Sequence, residues 1–175
     1  MLSSFNFQPI LNGVNVSIRA LVVSDFDNLY ICASDKKIWE GHPAKDRYKK
    51  VEFEKWFESA IDSNSTVVFL DNITGNIIGS SRFYTVDEAA NDISIGYTFL
   101  SRSYWGGKTN FELKKLMLDY AFTYFDSVWF HIAPANIRSQ KAIEKIGGVF
   151  FYEKITSISG SPDNWLFYQI DKNDW

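Results

Sequence analysis

The stretch Tyr104-Trp105-Gly106-Gly107-Lys108-Thr109-Asn110 precedes a run with helical spacing, and that combination could hold an anion. A helix start leaves backbone N–H groups unpaired and presents the positive end of a dipole. Glycine lets a phosphate or pyrophosphate come close to the chain. By themselves the two glycines fit a plain strand-to-helix turn better. Asn136 and Ser139 stand three residues apart, so a helix there shows both on one face. His131 alternates with Trp129 and Ala133 and could turn toward a cleft. A lone strand histidine is more often a satisfied structural group than a catalyst. Asp92, Glu40 and His42 are the other groups placed to take a proton, the last two equally readable as solvated loop residues. Cys32 has no metal-ligand spacing and reads as helix core, so no metal site is expected.

These residues need elements to position them. Alternation marks a strand over 14–20. Ser24 with Asp27 resembles a capping box that opens a helix through Ala33. The polar stretch 34–50, with Gly41 and Pro43, reads mainly as loop. Phe53, Trp56, Phe57, Ala60 and Ile61 then share one face of a second helix. Short β-type runs follow at 66–70 and 77–84, then a strand at 92–100. Leu113, Leu116, Met117, Tyr120, Ala121 and Tyr124 form a helical stripe. Residues 128–133 read as a strand and 137–146 as a helix ended by Gly147-Gly148. Two last strands fall near 149–155 and 165–170. Consecutive strands without intervening helices imply antiparallel pairing, and the two later helices act as crossovers. The expected class is α+β, a three-layer α/β/α arrangement around a mixed, mostly antiparallel sheet of about seven strands.

Length and composition bound the rest. One domain over residues 1–175 suits a chain of 175 residues. Hydrophobic residues make up 46%, too many for a disordered chain. The formal charge is −3 with acids and bases interspersed, so nucleic acid is not the expected partner. No apolar run approaches membrane-spanning length. The first twenty residues lack a basic start followed by an unbroken apolar stretch, and a secretory signal is not expected. With a lone cysteine, a reducing, cytoplasmic setting is the expectation.

Several spaced segments together resemble a known family. Ile95-Gly96-Tyr97-Thr98-Phe99-Leu100, then Tyr104-Trp105-Gly106, then Asn110, Glu112 and Lys114 look like the acetyl-CoA-binding core of the GNAT superfamily. The run 136–147, with Asn136, Ser139, Ala142, Lys145 and Gly147, is similar to the branch containing the ribosomal-protein N-terminal acetyltransferases. So are Asp163-Asn164 before the last strand and the ending Asp174-Trp175. The resemblance implies a sheet splayed between strands 92–100 and 128–133, with acetyl-CoA in the gap. Thr98, Phe99 and Leu100 would pair with the pantetheine arm as an added strand. Trp105, Gly106, Gly107, Lys108, Thr109 and Asn110 would take the pyrophosphate. Asn136 would bond the pantetheine, and Ser139 would lie near the thioester sulfur as the acid. The partners implied are acetyl-CoA and an amine acceptor, either a small molecule or a peptide N-terminus, with a homodimer left open.

The chain departs from the family at three places. Ser94 stands where many relatives have a glutamate base, so the base is open among Asp92, His131, Glu40 and His42, with His131 the catalytic candidate. Ile143 stands where many superfamily members have a tyrosine acid, a departure the resembled branch shares. The phosphate loop holds Ser103, Gly106 and Lys108 at its usual places, so only the glycine is kept. At Lys108 a left-handed backbone would cost about 1–2 kcal/mol, and the ammonium would either pair with the phosphates or point into solvent. The expected function is therefore acetyl-CoA-dependent N-acetylation of a primary amine. The alternative is a non-catalytic acyl-CoA-binding module.

Overall fold

In Val16–Ala20 (β2) the buried Val16 and Ile18 alternate with half-buried Ser17 and Arg19, the pattern of a strand with one face in the core. The protein was analysed as a computed structural model, which describes residues 4–158 and 162–175. Arg19 sends a two-pronged guanidinium to Asp25, at 2.7 and 2.8 Å, and Val22 N–H donates to the same carboxylate at 3.0 Å. Burial pushes the Asp25 carboxyl up, but these donors outweigh it and hold its pKa below the ordinary value. That anchor turns Val23–Asp25 into a 3-10 turn, so helix Phe26–Ala33 (α1) begins one residue later than the Ser24 cap predicts.

The polar stretch 34–50 hides a structured turn. Lys36–Trp39 forms a 3-10 turn that buries Ile38 and Trp39, whose Nε1 donates to Ala33 O at 2.7 Å. Helix Lys50–Asp62 (α2) follows and lays Phe53, Trp56, Phe57 and Ala60 inward. With α1, which contributes Leu29, it covers one face of the sheet over Val68, Ile77 and Phe99.

The sheet has eight strands: Leu11–Asn12 (β1), β2, Thr66–Asp71 (β3), Ile77–Asp87 (β4), Asp92–Leu100 (β5), Ser127–Ile132 (β6), Val149–Ser157 (β7) and Pro162–Asp171 (β8). Their spatial order is β1-β2-β3-β4-β5-β6-β8-β7. Every neighbouring pair is antiparallel except β5 with β6. The strand beyond the expected seven is the two-residue β1, too short to show alternation. Helices Thr109–Ala121 (α3) and Ile137–Glu144 (α4) cover the opposite face, where Leu113, Met117, Leu118 and Ile143 join the larger core. Three layers result, as the alternation of elements implies. At the end of α4, Gly147 takes φ +97 and Gly148 N–H returns to Ile143 O at 2.9 Å, the glycine stop expected there.

Close packing of β4 against β5 depends on one absent side chain. A Cβ on Gly79 would lie 2.2 Å from the Phe99 carbonyl oxygen, which is backbone and cannot swing away. Gly79→Ala should therefore destabilise the fold by about 1–3 kcal/mol. Thermal denaturation checks this; an unchanged melting temperature would show that the two strands separate at little cost.

Candidate active site

β5 and β6 pair only at Asp92↔Ser127, Ile93↔Val128 and Ser94↔Trp129. Beyond that point they part, although each keeps its other neighbour: Phe99 and Leu100 still face β4, and Phe130 to Ile132 still face β8. The parting coincides with a bulge, where Ser81 alone faces Tyr97 and Thr98 between the pairs Arg82↔Gly96 and Ser80↔Phe99. Tyr97 sits at φ +54, a left-handed conformation that is strained for a bulky residue. Its surroundings hold it there. The phenol donates to Ile158 O at 2.8 Å, and the ring lies edge-on to Tyr84 and beneath Arg82.

The gap is a cleft of about 220 Å3 between the two strands and the N-terminal ends of α3 and α4. Of the candidate site residues the sequence singles out, His42, Thr98, Phe99, Leu100, Trp105, Gly106, Asn110, His131, Asn136 and Ser139 line it. Gly107, Lys108 and Thr109 lie in the same loop and helix start but not on its wall. Lys108 is at φ −81, so the left-handed cost does not arise; Gly106 takes the positive φ instead, at +73. Trp105 Nε1 donates to Leu100 O at 2.8 Å, tying the glycine loop to the end of β5 and engaging that carbonyl.

At the cleft floor the Thr98 hydroxyl meets Ser81 Oγ at 2.7 Å and accepts from Lys114 Nζ at 2.9 Å. Lys114 is 4% exposed, lies 5.4 Å from the Phe130 ring centre, and pairs with no carboxylate among the described residues. Burial alone lowers its pKa to about 7. The sequence reading passed over this role. The available signal was a lysine on the apolar stripe, three and four residues before Met117 and Leu118.

At the start of α4, Asn136 Oδ1 caps the helix by accepting from Ser139 N–H at 3.3 Å. Its Nδ2 and the Ser139 hydroxyl remain without a protein partner among the described residues. Arg138, also overlooked, stacks 3.9 Å from the Trp105 ring centre and donates to Ile38 O at 2.9 Å. His131 Nδ1 lies 2.6 Å from the Tyr84 hydroxyl, and burial lowers the imidazole to about 4. His42 Nδ1 accepts from Ala44 N–H at 2.9 Å, and burial with nearby Arg47 and Arg138 lowers it to about 3. Both rings are neutral at pH 7. Asp92 accepts from Trp129 Nε1 at 2.9 Å at the closed end of β5, and neither it nor Glu40 lines the cleft. No aspartate or glutamate lines it.

This arrangement fits a long, anionic acyl carrier. The bare edge of β5 offers backbone groups to an extended chain. The N–H groups of Gly106, Gly107 and Lys108 donate to no described residue and sit before a helix of 13 residues. Its energetic cost is concentrated at Lys114. Between about pH 7 and the ordinary lysine value the unfolded chain binds a proton that the native chain has lost, so stability rises with pH there. Lys114→Met should raise the unfolding free energy at pH 7 by about 1–3 kcal/mol and should remove this rise between pH 7 and 9. Denaturant unfolding at both pH values checks it; an identical pH slope in the variant would mean the lysine is charged throughout.

Comparison with known proteins places this geometry in a family. A family model described as an acetyltransferase (GNAT) domain matches residues 15–149. A search of curated proteins gave no significant match. Among solved structures, a GCN5-related N-acetyltransferase from Brucella melitensis superposes with a TM-score of 0.83 at 18% identity, covering 99% of this chain and 85% of that one. A spermidine N-acetyltransferase from Vibrio cholerae, solved with CoA and spermine, gives 0.67 at 18% identity over 91% and 97%. A proposed ribosomal-protein-serine acetyltransferase from the same organism gives 0.77 at 12% identity over 95% and 99%. These likenesses establish the fold. Because the family model runs through both parting strands, the glycine loop and the starts of both later helices, the chain belongs to the GNAT acetyltransferase family.

Proposed function

We propose that the chain, as a single domain over residues 1–175, transfers an acetyl group from acetyl-CoA to a primary amine. The observation that supports this best is the β5–β6 parting, which bares a strand edge directly beside two helix N-termini. When bound, acetyl-CoA supplies an acyl group activated as a thioester. Thr98 and Phe99, with Leu100 in the strand edge, hold its pantetheine arm by backbone pairing. The loop from Trp105 to Asn110 holds its pyrophosphate. Asn136 turns Nδ2 toward the arm while Oδ1 caps α4. Ser139 donates its hydroxyl proton to the departing sulfur and regains one, through water, from the attacking amine nitrogen, which sheds it as the amide forms.

The general base is the acceptor's own chemistry. No carboxylate lines the cleft, and His131 and His42 are too weakly basic to compete for a proton at neutral pH. An α-amine with a pKa of roughly 8 is about one-tenth neutral at pH 7, and that fraction attacks without assistance. The same missing carboxylate favours one other reading, a module that binds acyl-CoA without turning it over.

One measurement tests both readings and a second separates them. CoA at 100 times its dissociation constant should stabilise the fold by about 2.7 kcal/mol; no melting shift would sink both. Thiol release from acetyl-CoA across a panel of amines should occur; binding with no release on any amine would favour the module. Asn136→Ala should weaken CoA binding, whereas Ser139→Ala should chiefly lower kcat. In wild type, kcat/KM should climb through the acceptor's own pKa with no inflection between pH 5 and 7. An inflection there that disappears in His131→Gln would make His131 the base.

A further inference from the structure

Pro43 and Tyr97 line not only the cleft but a second cavity of about 710 Å3. Four cations of that cavity, Lys45, Arg47, Lys55 and Arg82, face two carboxylates, Asp46 and Glu52. Those two acids are exposed and already committed, Asp46 to Lys49 at 2.9 Å and Glu52 to Lys55 at 2.7 Å. The arginines are different. Arg82 is 8% exposed; its Nε donates to Thr66 Oγ1 at 2.8 Å, and its buried Nη2 has no partner. Arg47 makes no ion pair with any described carboxylate and no side-chain hydrogen bond to a described residue. Trp56, on the same wall, also carries a buried Nε1 without a partner.

Aromatic faces hold the guanidiniums where carboxylates ordinarily would. Arg82 lies 4.5 Å from the Tyr97 ring centre, and Arg47 lies 5.1 and 5.6 Å from those of Trp39 and Trp56. A stacked guanidinium is fixed in place without being neutralised, and its in-plane N–H groups stay available to an oxyanion. Burial lowers Arg47 to about 10, with Tyr97 raising it and Arg82 lowering it further. Two guanidiniums lining one cavity, Arg82 buried and Arg47 half-buried, and both lacking a counter-charge, carry a cost that an anionic partner removes.

We infer that the amine acceptor carries an oxyanion, a carboxylate or a phosphate, which Arg47 and Arg82 bind while its amine reaches the cleft past Tyr97. This rests on the acetyl-transfer reading above, and it names the substrate class: amino acids, peptides whose carboxylate lies near the amine, or amino phosphates. A polyamine, all cation, meets two uncompensated arginines and is excluded by the same field.

The test has a binding arm and a turnover arm. In the first, inorganic phosphate and N-acetylated amino acids are titrated against the corresponding N-acetyl amides, followed by tryptophan fluorescence. The anions should bind, more weakly in high salt, and Arg47→Gln or Arg82→Gln should weaken them about tenfold or more. Arg82→Lys keeps the charge but loses the fork. Together with an unchanged CoA-induced melting shift, it guards against a variant that merely misfolds. In the second arm, kcat/KM for amino acids, amino phosphates, amino-acid amides and spermidine is compared. The anionic acceptors should exceed their neutral counterparts about tenfold or more, and both arginine variants should erase the gap. The better of the two anions names the group. Anions that fail to bind, or amides and spermidine turned over as well as the acids, would overturn the proposal. Anion binding that is lost in the arginine variants, with no turnover of any amine, would uphold the oxyanion site and defeat the transferase reading instead.

Discussion

The site depends on β5 leaving β6 after a three-residue overlap while keeping β4, and on the strained residue that makes the departure. Tyr97 at φ +54 adds one residue to β5 and redirects its edge, at a cost of order 1–3 kcal/mol. Three contacts offset that cost: a hydrogen bond to Ile158 O, edge-on packing with Tyr84, and the Arg82 guanidinium above the ring. Gly96 is part of the same arrangement, because a Cβ there would lie 2.7 Å from the Tyr84 ring. The bulge thus fixes the cleft on one side of Tyr97 and the arginine cavity on the other. Both openings follow from one backbone feature.

Charge is distributed against the sign of the whole chain. The formal net charge is −3, yet the charged lining of the cleft is Lys114 and Arg138 without a carboxylate, and the adjoining cavity holds Arg47 and Arg82 unpaired. Exposed acids sit instead in surface pairs such as Glu52–Lys55 and Asp119–Lys115, which contribute little to stability. Low-dielectric walls of Phe130, Trp56 and Tyr97 make the remaining positive field stronger than it would be in water. Such a field suits a phosphate-bearing carrier in one compartment and an anionic acceptor in the other.

Where local pattern decides structure, the sequence was readable. β5 at 92–100, the glycine-stopped α4 and the pairing of Asn136 with Ser139 at its start follow from alternation, helical spacing and glycine chemistry, and the order of elements implied the three layers. Other features were set by distant partners. Nothing in Ile95-Gly96-Tyr97 marks the tyrosine, and not the glycine, as the left-handed residue; that is decided by Tyr84 and Arg82 across the β4 register. Ile38 and Trp39 hide in a polar stretch because their burial depends on Ala33 and on α2. Arg47 and Arg82 are 35 positions apart in the chain and meet only once the loop before α2 folds over β4. The family resemblance supplied the cleft; the unpaired cations had to be seen in three dimensions.

His131 shows how burial can weaken the basicity of a residue of the right type. It lines the cleft, as alternation with Trp129 and Ala133 allowed, and its ring is oriented by the Tyr84 hydroxyl at 2.6 Å, as a catalytic base would be. The ordinary partner of such a histidine is a carboxylate, which stabilises the protonated ring. Here the partner is a half-buried phenol whose own ionisation burial pushes up, so no negative charge is available to hold a proton on the imidazole. The Phe167 ring 4.4 Å away removes water as well. The pair is therefore a neutral, oriented hydrogen-bonding group suited to positioning, which on the proposed reading leaves proton release to the acceptor. On that reading a cleft built from cations and neutral rings would select its substrate twice: by an amine basic enough to attack yet acidic enough to shed its proton unaided, and by a negative charge elsewhere on the same molecule.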